Sequence, residues 1–400
     1  MHLSRRTFLG SALAAGVARE VTARHEPPNT PGQDRFDPWV EVDAEALRFN
    51  VAQLRALTGG RPILAVVKNN AYGLDLVQTS KILATLPEVA GFAVVKTHSA
   101  ITLRDAGIEK PILLMGMCSE ADGHELVSRG IEISLYTDDA AERITALAGR
   151  TQRPVRAHFY LDTGLGRMGM PYHRALPWLA DLSSRQELQV AGTFMGFTEE
   201  TDFDREQLVR FRNLAQRARD AGADLGQLHA ASSNGVYHLP DSHLDLVRPG
   251  IALYGCYPSR YEEERAKQEL RPAVRLRARV VRVVRLRPGD SVGYGSKYTA
   301  VQPTWLATVP AGHTDGVPRE SVAGGRVLIG EHTYPVVGSV SASHCMVALS
   351  ARRTASVGDP VTLIGPDHPD IHPNTIAQRT GVSVYDVLMH LNPTLPRYLV

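Results

Sequence analysis

Hydrophobic and polar positions follow two different rhythms along this chain. In the first, short apolar runs rich in Val, Ile and Leu fall at 63–68, 91–95, 112–115, 131–136, 155–162, 188–197, 227–233 and 244–254. Runs of this kind read as buried strands. Stretches of helical period lie between them, such as 206–221. Upstream, Trp39-Val40-Glu41-Val42 alternates as a strand, and Asp43 is placed to cap a helix with Leu47, Val51 and Leu54 on one face. Eight strand signals alternating with helices predict an α/β fold, a TIM-like (β/α)8 barrel.

The second rhythm begins after about residue 261. The segment 274–286 alternates Val and Leu with Arg, as expected of one half-buried antiparallel strand. The arginines read as a solvated sheet face, since no aromatic residues interleave to support nucleic-acid binding. Turn signals recur at Pro288-Gly289-Asp290, Ala323-Gly324-Gly325 and Gly358-Asp359-Pro360, and a short helix is expected near 375–380. The predicted organisation is a barrel over 38–262 and a mostly β C-terminal domain over 263–400.

Composition adds bounds rather than detail. With 43% hydrophobic and 22% charged residues and a net charge of +2, the chain fits neither a disordered nor a multispan membrane protein, and gives no reason to expect nucleic acid. The three cysteines, Cys118, Cys256 and Cys345, form no CxxC and imply no disulfide framework. Residues 1–37 are expected to be a signal peptide and tail. Arg5-Arg6 precede a short apolar run from Phe8 to Ala18, in the order of a twin-arginine export signal. Cleavage after Ala18 or after Ala23 fits. Export to the periplasm by that route is the expectation, with no membrane association after cleavage.

Candidate chemistry centres on Lys68, the only charge in Ile63-Leu-Ala-Val-Val-Lys68-Asn-Asn-Ala-Tyr72-Gly73. A lysine at the carboxyl end of a buried barrel strand stands where such folds place catalysis. Its desolvated amine should have a lowered pKa and serve as a nucleophile.

That segment resembles the cofactor-lysine motif of the alanine racemase family, and further motifs match in order across 38–400. The resemblance implies pyridoxal 5'-phosphate carried on Lys68 and a two-base racemisation. It implies that Ser233 of His229-Ala-Ala-Ser-Ser233, the backbone at Gly250 and Ile251, Tyr72 and Tyr385 hold the phosphate. It assigns Arg248 to the pyridine nitrogen. A guanidinium only donates, so it should leave that nitrogen unprotonated and shorten the life of the carbanion. It assigns Arg167 of Asp162-Thr-Gly-Leu-Gly-Arg167 to the cofactor's phenolic oxygen and the substrate carboxylate. Lys68 would be one base, and Tyr294 of Gly293-Tyr294-Gly295, supplied by a partner subunit, the other. A homodimer with shared sites follows.

Several positions depart from the family pattern. Tyr160 stands for a lysine, Gly196 for a histidine behind the pyridine-contacting arginine, and Ser232 for an asparagine. His313 replaces a gating tyrosine. Ala342 and Ser343 replace Met-Asp, with the Ala342 backbone still placed to bind the substrate carboxylate. The altered pocket is expected to be wider and more polar. The sequence reading is therefore a racemase of alanine, or one of broader range taking serine or larger and polar amino acids. A metal-assisted D-amino-acid lyase of the same fold type is a further alternative, raised by His344-Cys345 and His313. Neighbours on a strand point apart, so no metal is expected there. A non-catalytic cofactor-binding barrel is disfavoured by Tyr294 on an added domain.

Overall fold

The computed structural model describes residues 35–266 and 268–400. The export-signal reading falls on residues outside this range.

Seven parallel strands form the barrel wall in the order Ile63–Val66, Val89–Val94, Ile112–Leu114, Glu132–Leu135, Val155–Asp162, Leu188–Phe194 and Gln227–His229. A two-residue strand, Met170–Pro171, pairs off the side of Val155–Asp162. Helices connect them, among them Thr201–Asp220, which is capped by the Glu200 carboxylate on the Phe203 N–H and buries Leu208, Phe211 and Leu214. The apolar run from Ile63 to Val67 is buried throughout, its Ile, Leu and Val side chains each contributing about 1.5–3 kcal/mol of transfer free energy.

The eighth expected strand, 244–254, is not a regular strand. It makes one parallel bridge, Ile63 to Val247, and closes the barrel through Leu64 N–H to Val247 C=O at 2.9 Å and Val66 N–H to Pro249 C=O at 3.0 Å. Pro249 has no N–H to extend the ladder, and after Gly250 the chain tightens into a 3-10 turn, Ile251–Tyr254.

The second sheet has nine strands, in the order Arg282–Leu286, Thr304–Val309, Cys345–Ser350, His332–Val337, Arg326–Ile329, Pro360–Ile364, Val274–Arg279, Trp39–Val42 and Arg397–Leu399. Trp39–Val42 is a strand as expected, but it is buried at every residue rather than on alternate ones, and it lies in this sheet, antiparallel to Val274–Arg279 and parallel to Arg397–Leu399. The span drawn for the barrel, 38–262, thus includes a strand that serves the other domain. Asp43 caps the following helix, Ala44–Leu57, through Oδ1 to the Ala46 N–H at 2.9 Å, and Leu47, Val51 and Leu54 are buried. The single strand expected over 274–286 is two, Val274–Arg279 and Arg282–Leu286, whose partners are Pro360–Ile364 and Thr304–Val309 respectively. The expected short helix is Pro373–Thr380, and a second one, Val384–Met389, carries Tyr385. Among the described residues no helix is long and apolar enough to cross a membrane, and all three cysteines are free and buried.

Candidate active site

Strand Ile63–Val66 delivers Lys68 to the carboxyl end of the barrel, and the chain then makes a turn that L-residues rarely make. Asn69, Asn70, Ala71 and Tyr72 all have positive φ, between 50° and 57°. A run of four costs on the order of 1 kcal/mol or more per residue, so its surroundings must hold it. Ala71 N–H donates to Val67 C=O, and Gly73 N–H to Asn69 C=O, each at 3.1 Å. Asn70 Oδ1 accepts from the Leu76 N–H at 2.8 Å. Arg397 donates twice to the Gly73 carbonyl, at 3.0 and 2.8 Å. Gly73, at φ 93°, lies so close to the C-terminal helix that a Cβ would stand 2.3 Å from the Leu388 carbonyl oxygen. The base of Lys68 is therefore fixed from both domains.

Lys68 Nζ lies 5.9 Å from the centre of the Tyr72 ring. Burial lowers its pKa, the Arg167 cation lowers it further, and Glu199 opposes them. Arg167 is exposed, on a loop whose Gly164 and Gly166 N–H groups are gathered by the Asp162 carboxylate.

Beside the lysine is a cradle of small and hydroxyl groups. Ser233 Oγ accepts from the N–H groups of Gly250 and Ala252, at 2.9 and 3.2 Å. Ile251 opens the 3-10 turn, a position where the turn itself gives its N–H no partner. A Cβ on Gly250 would stand 2.1 Å from the Tyr72 hydroxyl oxygen, so only glycine lets that hydroxyl reach the turn. The Tyr72 ring stacks on Tyr254 at 4.7 Å and lies 6.2 Å from Tyr385. Burial, reinforced by neighbouring acidic groups, pushes both the Tyr72 and Tyr385 phenols up, so they are hydroxyl donors at neutral pH. Ser232 Oγ is buried without a partner among the described residues. N–H groups, hydroxyls and an unpaired buried oxygen suit a phosphate, and the strand-end amine suits an aldehyde-bearing cofactor.

Arg248 is buried, with a guanidinium held by the carbonyls of Met195 and Ala230 at 2.6 and 3.1 Å and by His229 Nδ1 at 2.9 Å. Burial lowers its pKa to about 10, with Tyr160 opposing, so it remains a cation at neutral pH. Behind it, His229 meets His158 at 2.9 Å and His158 meets Glu132 at 2.8 Å.

Tyr294, His313 and Ala342 gather elsewhere, on an exposed rim of the second sheet. Tyr294 is 79% exposed, on a turn between Gly293 and Gly295, and its N–H donates to Ser339 Oγ at 3.1 Å. The His313 N–H donates to Ser341 C=O at 2.9 Å and the Thr314 N–H to Ala342 C=O at 3.1 Å. His313 Nε2 pairs with Arg319 at 2.8 Å. One chain thus holds the expected site residues in two groups, and Tyr294 is not buried among those around Lys68.

Residues 42–258 match the family model described as alanine racemase, N-terminal domain, and residues 273–399 that for the C-terminal domain. The chain belongs to the alanine racemase family. It is 33% identical over 369 residues to the alanine racemase of Desulforamulus reducens, covering 90% of this chain and 98% of that protein. Against the alanine racemase of Clostridium tetani the identity is 29%, covering 90% and 95%. The crystal structure of alanine racemase from D-cycloserine-producing Streptomyces lavendulae matches with a TM-score of 0.86 at 29% identity, covering 93% of this chain and 98% of that one. The biosynthetic alanine racemase of Pseudomonas aeruginosa gives 0.81 at 28%, covering 91% and 99%. Alanine racemase family members use pyridoxal 5'-phosphate, the group the cradle fits.

Two departures from the alanine racemase pattern, Tyr160 and Gly196, lie side by side. A Cβ on Gly196 would stand 3.1 Å from Leu165 Cδ2 and 3.7 Å from the Tyr160 hydroxyl. Leu165 and Tyr160 therefore border the space beyond Gly196, and Tyr160 stacks on Phe194 at 4.3 Å. Among the described residues no group of three or more His, Cys, Asp or Glu could hold a metal ion. His344 is exposed, just ahead of strand Cys345–Ser350, and Cys345 is buried. The sequence reading assigned no role to Glu199, Glu132, His158 or His229. Glu199 stands at φ 66° with its N–H on Asp204 Oδ1 at 3.1 Å, and its charge acts on Lys68. A lone histidine on the apolar strand Val155–Asp162 was the available signal for the others.

Proposed function

We propose that the protein is a pyridoxal-phosphate-dependent amino-acid racemase that interconverts L- and D-alanine, as a homodimer with shared active sites. The observation that carries this is the juxtaposition of the Lys68 amine with the Ser233, Gly250 and Tyr72 cradle, in a chain matching both alanine racemase domains.

The residues divide the work. Ser233, the N–H groups of Gly250 and Ile251, Tyr72 and Tyr385 would hold the phosphate. Pyridoxal 5'-phosphate, when bound, supplies an electron sink that acidifies the substrate α-C–H. Arg248, a donor only, limits how deep that sink is. Arg167 binds the substrate carboxylate. The Lys68 amine, with its lowered pKa, takes or returns the proton on one face of the α-carbon. The partner subunit's Tyr294 does so on the other, which accounts for a catalytic phenol that is exposed in a single chain.

A broader substrate range is favoured by Ala342 and His313, which give the rim less side-chain volume than methionine and tyrosine would. We also propose export to the periplasm by the twin-arginine route, supported by Arg5-Arg6 and the apolar run after them. That route carries folded proteins, as suits an enzyme loaded with a cytosolic cofactor.

The test is α-proton exchange in D₂O, followed by NMR, with chiral analysis over a panel of L-amino acids. Exchange with growth of the D-enantiomer is expected, for alanine first. Loss of substrate to keto acid or aldehyde, with sensitivity to chelators, would overturn the racemase reading in favour of a lyase.

A further inference from the structure

Four ionisable side chains from four segments of the barrel form one buried line. Glu132 lies on Glu132–Leu135, His158 on Val155–Asp162, His229 on Gln227–His229 and Arg248 on the closing segment. All four are less than one-tenth exposed. The links are 2.8 Å from Glu132 Oε2 to His158 Nε2, 2.9 Å from His158 Nδ1 to His229 Nε2, and 2.9 Å from His229 Nδ1 to Arg248.

The strand Leu188–Phe194 runs between those of His158 and His229. Gly192 is where the line crosses it. A Cβ there would stand 2.7 Å from His158 Nδ1 and 2.6 Å from the Gln227 carbonyl oxygen, so any side chain would break the link.

The donors fix the direction of the line. Arg248 can only donate, so His229 Nδ1 must accept, and the proton of that ring is on Nε2. His158 Nδ1 must then accept, its proton is on Nε2, and that proton goes to the Glu132 carboxylate. Both histidines are neutral. Burial and the Arg248 cation hold the His229 pKa well below the ordinary value, in keeping with this. Burial alone would raise the Glu132 carboxyl, but the hydrogen bonds and positive charge that His158 and Arg156 direct at it outweigh burial and lower it; the hydrogen-bond directions confine that charge to the His158 Nε2–H dipole and the Arg156 cation. Arg156 Nε reaches the other carboxylate oxygen at 2.6 Å. A buried cation and a buried anion are thus joined through two neutral rings, each hydrogen bond polarising the next.

We infer that Glu132 is a positioning residue for the reaction: through His158 and His229 its carboxylate fixes the Arg248 guanidinium and damps the positive potential it presents to the site. The inference rests on the reading that Arg248 meets the cofactor's ring nitrogen. Its consequence lies in reaction specificity. A less restrained, more positive Arg248 deepens the electron sink and lengthens the life of the carbanion. More turnovers then end in transamination, in which the amino group passes to the cofactor, water supplies the carbonyl oxygen of the departing keto acid, and the substrate is oxidised by two electrons as the cofactor is reduced.

The experiment uses Glu132→Gln in the cofactor-loaded enzyme, with Gly192→Ala and Arg248→Lys beside it. Side-chain ¹⁵N–¹H NMR of the wild type should find both histidines neutral and protonated on Nε2. In Glu132→Gln the His158 Nε2 proton should move upfield. Pyruvate formed per racemisation event should rise about fivefold and kcat fall by a similar factor, because a charge-assisted bond becomes a neutral one, while the KM for alanine stays within about twofold. Gly192→Ala should raise the pyruvate fraction likewise with the carboxylate intact. A charged or Nδ1-protonated histidine in the wild type would overturn the proposal. So would an unchanged pyruvate fraction in Glu132→Gln when Arg248→Lys raises it, since a merely structural network would move only the melting temperature. If Arg248→Lys itself leaves the fraction unchanged, the reading of Arg248 is what has failed, and the inference falls with it.

Discussion

Lys68 and Tyr294 are assigned matching tasks, one proton on each face of the same carbon, yet they sit in opposite surroundings. Lys68 is set by a buried strand and a left-handed turn that Arg397 and the backbone near Leu388 clamp. Tyr294 stands 79% exposed on a turn with glycine on both sides. The turn after Lys68 and the Ser233–Gly250–Tyr72 cradle are paired or so close that a methyl group would collide. The difference is what the proposed shared site would require: a packed half-site on the barrel and an exposed half-site on the second domain that another surface would complete.

Substitutions in the two regions should therefore fail in different ways. The largest effect is expected from Lys68→Ala, which removes both the cofactor's covalent anchor and one base. Racemisation should fall by at least about ten-thousandfold, and the visible absorbance of the bound cofactor should be lost, as spectrophotometry and chiral assay would check. Tyr294→Phe should lower kcat about a hundredfold or more in chiral assays with alanine. Its melting temperature should change little, since the hydroxyl is exposed within its own chain and removing it costs that chain's fold at most about 0.5 kcal/mol. Gly250→Ala should do the reverse. The 2.1 Å approach to the Tyr72 hydroxyl leaves no room for a methyl group. Chemical denaturation should show a loss of about 1–3 kcal/mol, with weakened cofactor binding in equilibrium dialysis. The smallest effect is expected from Ala342→Met on the rim. It should leave alanine turnover within about twofold and reduce kcat/KM for serine or larger amino acids about tenfold relative to alanine.

The same contrast governs what could be read from sequence. Barrel strands such as Ile63–Val66 and Ile112–Leu114 were legible because strands buried on both faces must be continuously apolar. Segment 244–254 carried that signal too, but Pro249 and Gly250 turn it from a strand into a bridge and a 3-10 turn. The strand Trp39–Val42 was legible, but its place was not, because its partners lie near residues 275 and 398 and local pattern carries no pairing information. The motif residues Lys68, Tyr72, Ser233 and Gly250 do come together. The left-handed turn had only the tolerance of Asn69 and Asn70 for positive φ to announce it, and its cause is tertiary. The line from Glu132 to Arg248 joins residues 26, 71 and 19 positions apart, so no local motif could reveal it.

The central claim, that a working site needs the barrel of one subunit and the rim of another, is tested most directly by mixing subunits. Lys68→Ala and Tyr294→Phe homodimers, each with little activity, would be combined and allowed to exchange, with mixed dimers verified by native mass spectrometry. One of the two sites in each mixed dimer would then contain both an intact Lys68 and an intact Tyr294. Racemisation should recover to about a quarter of the wild-type rate. No recovery, with mixed dimers demonstrably present, would mean that each subunit's Lys68 and Tyr294 serve the same chain, and would contradict the shared site.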